Sequence, residues 1–374
     1  MRIMLAPNAM KGSLSAIEFA NAISDGLRMA DDTLEIIKHP LADGGDGTNE
    51  LLINKLGGIF IQVPVHDPIG RPINSRYGWL AESKCAIIEM AEASGLNLLT
   101  TSEFNPMVAS SRGTGELILA AVKNGVQKII LGIGGSATVD GGIGMLMALG
   151  FTLLDHSGNT IEEGGNGLIQ IAQVLSSKVK PEILKCEIVI ATDVKNPLLG
   201  AEGAAVVYGP QKGATPQMVK DLELGLKNYI AVLEQITQKE LVGLVGGGAA
   251  GGIAVPLIAL LNARVESGAE LIIELLGVLE DLKYCDLVIT GEGCIDLQTC
   301  HGKGPAVIAR AARAAGIPVI AIGGEVKQEA SSLFNGIFSI TNAPITLKEA
   351  MKNSYELTKL LSFQLGKLIK ILAK

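Results

Sequence analysis

Apolar positions fall along the chain in two rhythms. Short apolar runs, from Arg2 to Ala6, Leu34 to His39, Cys85 to Ala91, Lys128 to Leu131, Glu187 to Ala191, Asp286 to Thr290, Pro318 to Gly323 and Ile337 to Thr341, read as buried strands. Between them, longer segments read as helices. These are Ser15 to Met29, Asn49 to Leu56, a stretch opening near Ser110, Gly141 to Leu149, Met218 to Lys239, Ala269 to Leu282, and a Lys-rich stretch from Leu347 onward. The first helix carries its own start signal: Ser13 or Ser15 caps it, and Glu18 completes a capping box with Ser15. Strands that alternate with helices predict an α/β chain with mainly parallel sheets. One segment breaks the pattern, because no charge occurs from Leu241 to Ala263. Its first half is Gly246-Gly-Gly-Ala-Ala-Gly-Gly and Pro256 interrupts the rest, so it reads as a buried glycine loop plus helix and not as a membrane span.

The loops that follow the strands hold the chemistry. Lys128-Ile-Ile-Leu runs into Gly132-Ile-Gly-Gly-Ser-Ala-Thr-Val-Asp-Gly-Gly, so backbone N–H groups and a helix start converge where an anion can sit. Lys11 lies in the loop after the first strand, at the sheet edge where ligands of open α/β sheets bind. Asp43 and Asp46 flank two glycines after the second strand, a pattern that suits either metal binding or capping of the next helix. Arg112, at the start of a helix, is either a fork for phosphate or carboxylate oxygens or a surface Arg near a cap. Asp193 and Asn196 follow the strand ending at Ala191. Such a pair can coordinate Mg²⁺, or hold a substrate hydroxyl while the Asp accepts its proton, and Pro197 restricts the aim of Asn196. Lys212 is a second cation for phosphate, and Glu292 and Asp296 are further carboxylates at a strand end.

Composition narrows the class. With 374 residues, 48% hydrophobic and 18% charged, the chain suits two domains with proper cores and excludes extended disorder. Its 46 glycines suit tight βα loops. The net charge of −7, without a basic cluster interleaved with aromatics, argues against a nucleic-acid partner, so an anionic substrate needs locally placed Lys or Arg. Five scattered cysteines without CxxC spacing suit a reducing cytoplasm and no structural zinc. The apolar run after Arg2 ends at Pro7, too soon for a signal peptide.

Taken in order, the motifs resemble the bacterial class I glycerate kinase family. They are Ala6-Pro7 through Lys11-Gly-Ser-Leu-Ser-Ala, Ala42-Asp-Gly-Gly-Asp-Gly-Thr, Ile88-Glu-Met-Ala, Arg112-Gly-Thr-Gly-Glu-Leu-Ile, Gly132-Ile-Gly-Gly-Ser-Ala-Thr, Thr192-Asp-Val with Asn196-Pro-Leu, Tyr208-Gly-Pro-Gln-Lys-Gly-Ala, Ala249-Ala-Gly-Gly and Thr290-Gly-Glu-Gly. The chain departs from the family's usual Asp at Asn8, its Asn at Val139 and its basic residue at Cys294, which removes Asn8 from the set of catalytic bases. The resemblance implies ATP-dependent phosphorylation of D-glycerate with Mg²⁺, 2-phosphoglycerate being the usual product. It also implies two α/β domains with the site in the cleft, one flavodoxin-like or Rossmann-like and built from both chain ends, the other inserted into it. We place these at 1–72 with 283–374, and at 73–282, because Asp67-Pro-Ile-Gly-Arg-Pro looks like a turn between strands and a crossing into another domain.

On this basis Asp193 and Lys11 are assigned to catalysis, and Arg112, Ser13 and Asn196 to substrate. Gly134, Gly135, Ser136, Thr138 and Lys212 are assigned to phosphate, and Asp43 and Asp296 to metal. The expected partner is a small molecule, with neither nucleic acid nor membrane, and a homodimer is compatible with the chain. The competing enzyme is an NAD(P)-dependent oxidoreductase: residues 132–137 form a G-x-G-x-x-A fingerprint, and Asp155 stands 21 positions beyond Gly134. A nucleotide-binding homologue without activity is the third reading.

Overall fold

Strands of a parallel sheet bury both faces and so need apolar residues at successive positions. The first strand shows this directly: Ile3 and Leu5 enter one core while Met4 and Ala6 enter another. In chain order the strands are β1 (Arg2–Pro7), β2 (Glu35–Lys38), β3 (Ile59–His66), β4 (Pro72–Leu80), β5 (Cys85–Glu89), β6 (Lys128–Gly132), β7 (Thr152–Leu154), β8 (Gln173–Leu175), β9 (Glu187–Ala191), β10 (Arg264–Glu266), β11 (Leu287–Ile295), β12 (Val319–Val326) and β13 (Gly336–Ser339). The computed structural model describes residues 1–42, 44–45, 47–300 and 302–372. Its contacts fall into two units, Met1–Asp43 with Ser267–Lys374, and Gly44–Glu266.

The first unit is a sheet ordered β13-β12-β11-β1-β2, with every neighbouring pair parallel. Counted within the unit, that is strand order 2-1-3-4-5, the flavodoxin-like arrangement, and the order reverses between β1 and β11. Pro7 and Gly291 are paired at that point, so Asn8 and Glu292 stand at the switch crevice. The expected cap is present: Ser15 Oγ accepts from Glu18 N at 3.2 Å and Glu18 Oε2 accepts from Ser15 N at 2.8 Å, starting helix Ala16–Ala30. This helix packs against Ser354–Leu372 through Gly26, where a Cβ would stand 2.2 Å from the carbonyl oxygen of Lys359. The unit is therefore closed by helices from the two ends of the chain.

The second unit is a sheet ordered β10-β9-β6-β5-β4-β3, parallel from β5 through β10, with β4 antiparallel to both of its neighbours. Here the turn expected between strands is present, but it lies within one unit. Asp67-Pro-Ile-Gly-Arg-Pro is the turn of the β3–β4 hairpin, in which Asp67 Oδ1 accepts from Ile69 N at 3.0 Å and Arg71 N at 2.9 Å. Turn chemistry alone cannot distinguish a hairpin from a crossing. The boundaries expected after residues 72 and 282 thus move to 43 and 266. The expected helix Ala269–Leu282 is two helices, Gly268–Leu275 and Val278–Leu282, because Gly277 takes φ +63 and ends the first. The uncharged segment is a loop with positive φ at Gly246, Ala250, Gly251 and Gly252, followed by the buried helix Ala254–Leu261. Among the described residues no helix is long and apolar enough to cross a membrane.

Candidate active site

In the second unit, pairing of β5, β6 and β9 aligns Glu89, Gly132 and Ala191 in one row at the C-terminal ends of the strands. Two residues further on stand Gly134 and Asp193, both half-buried. The segment Gly44–Gly45 lies across this row. A Cβ on Gly132 would be 2.6 Å from the Gly44 carbonyl oxygen, and one on Gly134 would be 2.7 Å from Gly45 Cα. Gly134 N donates to Gly44 O at 3.3 Å. Only residues without side chains let two main chains approach so closely.

Behind Gly134 and Gly135 the loop turns inward. Ser136 and Thr138 are buried, and so is Lys212, whose Nζ donates to Ser136 Oγ and to the Thr138 carbonyl oxygen, each at 2.7 Å. Burial pulls the Lys212 ammonium down to about 7, opposed by the charge of Asp140. The Thr138 hydroxyl has no hydrogen-bond partner among the described residues. Of the four loop residues assigned to phosphate, therefore, Gly134 and Gly135 reach the surface, while Lys212 braces the loop from inside.

The anion expected at the following helix is supplied by the chain itself. Helix Ile143–Ala148 has six residues, and Asp140 Oδ1 and Oδ2 accept from Gly142 N and Gly144 N at 3.0 and 3.4 Å. Asp140 Oδ2 also accepts from Ser111 N at 2.8 Å and Ser111 Oγ at 2.7 Å, at the start of helix Arg112–Lys123. One wholly buried carboxylate thus staples two helix starts together. Burial raises its pKa, and the Ser111 and glycine donors oppose the rise.

Several residues assigned from sequence are engaged elsewhere. Arg112 is taken up by carboxylates of the chain itself: Nε donates to Glu163 Oε1 at 2.8 Å and Nη2 donates to the same oxygen, with Glu116 3.8 Å from Nη1. Asn196 Nδ2 donates to the Glu202 carbonyl oxygen at 2.9 Å, and its Oδ1 accepts from the Tyr208 hydroxyl at 2.8 Å, so it shapes its own loop. Ser13 Oγ donates to the Met351 carbonyl oxygen at 3.1 Å and pairs with Ser354 Oγ at 2.6 Å. Lys11 is exposed in the turn after β1, closed by the pairing of Met10 with Leu14. Asp296 Oδ1 accepts from Thr299 N at 3.3 Å and caps helix Leu297–Cys300. Asp43 lies outside the described residues. Among the described residues no three His, Cys, Asp or Glu side chains gather as a metal cage. Mg²⁺ in a phosphotransferase asks for less, since one or two carboxylates plus substrate phosphates suffice.

Two site residues escaped the sequence reading, Asp140 and Glu89. Glu89 is buried at the end of β5, where Oε2 accepts from Gly47 N at 3.2 Å and Oε1 accepts from Asn49 N. The motif Ile88-Glu-Met-Ala was the available signal, but nothing local says what that carboxylate holds.

The dinucleotide reading does not survive the topology. A Rossmann unit needs the strand after the glycine loop to lie parallel beside the first. Here β7 pairs antiparallel with β8 in a separate two-stranded sheet. Asp155 caps the turn that follows it, accepting from Ser157 N and Asn159 N, each at 2.8 Å.

Comparison with known proteins gives the family. The model of the glycerate kinase family matches residues 3–370. A glycerate kinase of Halalkalibacterium halodurans is 43% identical over 354 residues, covering 94% of this chain and 93% of that protein. A glycerate 2-kinase of Escherichia coli is 41% identical over 360 residues, covering 95% and 94%. A crystal structure provisionally assigned as glycerate kinase 2 from Salmonella typhimurium LT2 superposes with a TM-score of 0.86 at 41% identity, covering 99% of this chain and 98% of that one. With the glycine loops, strand-end carboxylates and flavodoxin-like sheet in place, the match from end to end decides the matter: the chain belongs to the glycerate kinase family.

Proposed function

We propose that this protein transfers the γ-phosphoryl group of ATP to D-glycerate in the cytoplasm, yielding 2-phosphoglycerate. The observation that carries this reading is the row of strand ends bearing Gly134, Gly135 and Asp193, in a chain 41% identical to a glycerate 2-kinase. Phosphoryl transfer asks for positioned groups and charge neutralisation more than for covalent help. Gly134 and Gly135 offer main chain close to the surface of the loop, where phosphate oxygens can approach without meeting a side chain. Asp193 takes the role of orienting the glycerate hydroxyl and accepting its proton. Lys11 supplies an exposed cation for a phosphate or for the substrate carboxylate. Mg²⁺, when bound, offsets the charge on the β- and γ-phosphate oxygens, and Asp43 and Asp296 are assigned to hold it.

The test is ADP formation from ATP and Mg²⁺ with and without D-glycerate, with the phosphoglycerate isomer identified by NMR. A parallel absorbance assay with NAD and NADP covers the redox alternative. Glycerate-dependent ADP with the 2-isomer is expected. The 3-isomer would reassign the attacking hydroxyl, and ADP formation indifferent to glycerate would sink the reading.

A further inference from the structure

We propose that Glu89 is a positioning residue for ATP: through Gly47 and Asn49 it holds Gly44–Gly45 over the glycine loop, so that the two loops together form the phosphate-facing wall. This rests on the kinase reading given above and deepens it. The argument begins with the segment itself. Gly44 and Gly47 both adopt positive φ, +82° and +87°, and the helix that follows, Thr48–Leu56, has no side-chain cap on its N-cap residue, Gly47. Such a helix start leaves N–H groups in need of acceptors. They are met from another strand, because Glu89 Oε2 accepts from Gly47 N at 3.2 Å and Oε1 accepts from Asn49 N. Glu89 is 5% exposed and anchored in β5, opposite Gly132 of β6. A charge-assisted pair of bonds to two backbone amides from a buried, strand-fixed carboxylate is strong and directional.

The far side of the same segment is pressed against the glycine loop. Gly134 N donates to Gly44 O at 3.3 Å, and a Cβ on Gly44 would stand 2.4 Å from the Ala191 carbonyl oxygen. Thr48 Oγ1 adds a bond to the Gly45 carbonyl oxygen at 2.7 Å. Among the described residues, Gly47 and Asn49 are therefore supported by the Glu89 carboxylate, and Gly44–Gly45 by the ends of β6 and β9 and by Thr48. Loosening either support displaces the wall. A displacement of about 1 Å in such a site costs up to about a hundredfold.

The experiment compares the full-length protein with Glu89→Gln and Gly134→Ala. Glu89→Gln keeps the shape but leaves one oxygen for two amides, and Gly134→Ala presses on Gly45 from below. Binding of ATP with Mg²⁺ is measured by calorimetry without acceptor, and hydrogen exchange is followed at the Gly47 and Asn49 amides. In each variant the Kd for ATP is expected to rise about tenfold, with faster exchange at those two amides in Glu89→Gln. The double variant is expected to lose less than the product of the single losses, since both act on one segment. A merely destabilised enzyme would show a smaller binding-competent fraction at unchanged Kd. An unchanged Kd in Glu89→Gln, with faster amide exchange, would reduce Glu89 to a helix cap and overturn the proposal. If Glu89→Gln does not fold, Glu89→Asp, which draws the carboxylate back by one methylene, is judged by the same Kd and exchange criteria. Should the wild type bind ATP yet make no phosphoglycerate, the kinase reading fails while the clamp is still judged on Kd. Normal turnover with an indifferent Glu89→Gln fails the clamp alone.

Discussion

At the scale of single residues, the site separates groups that face outward from groups that hold those groups in place. Asp193, half-buried two positions beyond the row of paired strand ends, is the residue proposed for the first kind. Asp193→Asn, in protein that folds, is expected to lower turnover at least about a hundredfold, since an amide cannot take the hydroxyl proton. Near-normal turnover would remove it from the mechanism. Lys212 is of the second kind, and its burial has a pH signature. Its ordinary value is 10.5 and the folded value is about 7, so between these pH values the unfolded chain binds the extra proton. This group's contribution to stability is therefore lowest below about pH 7 and recovers as pH rises towards 10. Urea titrations of wild type and Lys212→Met at pH 7 and pH 9 should show the wild type gaining on the variant by up to about 1.4 kcal/mol per pH unit. A pH-independent difference would mean that the ammonium is not desolvated as its buried position implies.

At the scale of elements, what matters is how closely loops approach. Gly251, at φ +71°, carries the tightest contact of the uncharged segment: a Cβ there would stand 2.1 Å from the Thr138 carbonyl oxygen. Gly141 N donates to the Gly251 carbonyl oxygen at 2.9 Å, so this segment supports the glycine loop from a third side. Gly251→Ala is expected to cost about 2–4 kcal/mol in urea unfolding, from backbone strain plus overpacking. Gly200→Ala, at φ +92° in open space, serves as the control and should cost only about 1 kcal/mol. Equal losses would show that strain alone, without crowding, sets the cost. These elements were legible in sequence to different degrees. The capped helix at Ser15 and Glu18 announces itself, because all its determinants lie within one turn. The break at Gly277 did not, and the turn at Asp67–Arg71 was legible as a turn but not as one that stays within a single unit, because a glycine or a turn permits several outcomes and the packing partners choose among them.

At the scale of the whole molecule, the first unit depends on both chain ends. Helices Ala16–Ala30 and Ser354–Leu372 meet at Gly26, so Gly26→Val drives a branched side chain into the Lys359 main chain. The expected cost is about 2–4 kcal/mol, borne by that unit. Limited proteolysis with fragment mapping should show new cleavage within 1–43 and 267–374, while 44–266 stays protected. Uniform cleavage across the chain would contradict the division into two units.

The sequence by itself determined the α/β class, the strand-end loops in which chemistry sits, and the family. Each of these depends on local pattern: apolar runs, glycine and hydroxyl clusters, and motif order. What tertiary structure alone decided is which of these polar groups are taken up by partners within the protein. Lys212 and Arg112 read alike in sequence, as cations beside glycine-rich loops. In the fold Lys212 closes on Ser136, 76 residues away, and Arg112 on Glu163, 51 residues away. Asp140 and Glu89, unremarked as site groups in the sequence, hold the helix starts at Ser111 and Asn49 across 29 and 40 residues. A side chain's partner at such separations is fixed by sheet order and loop packing, and no local pattern encodes either.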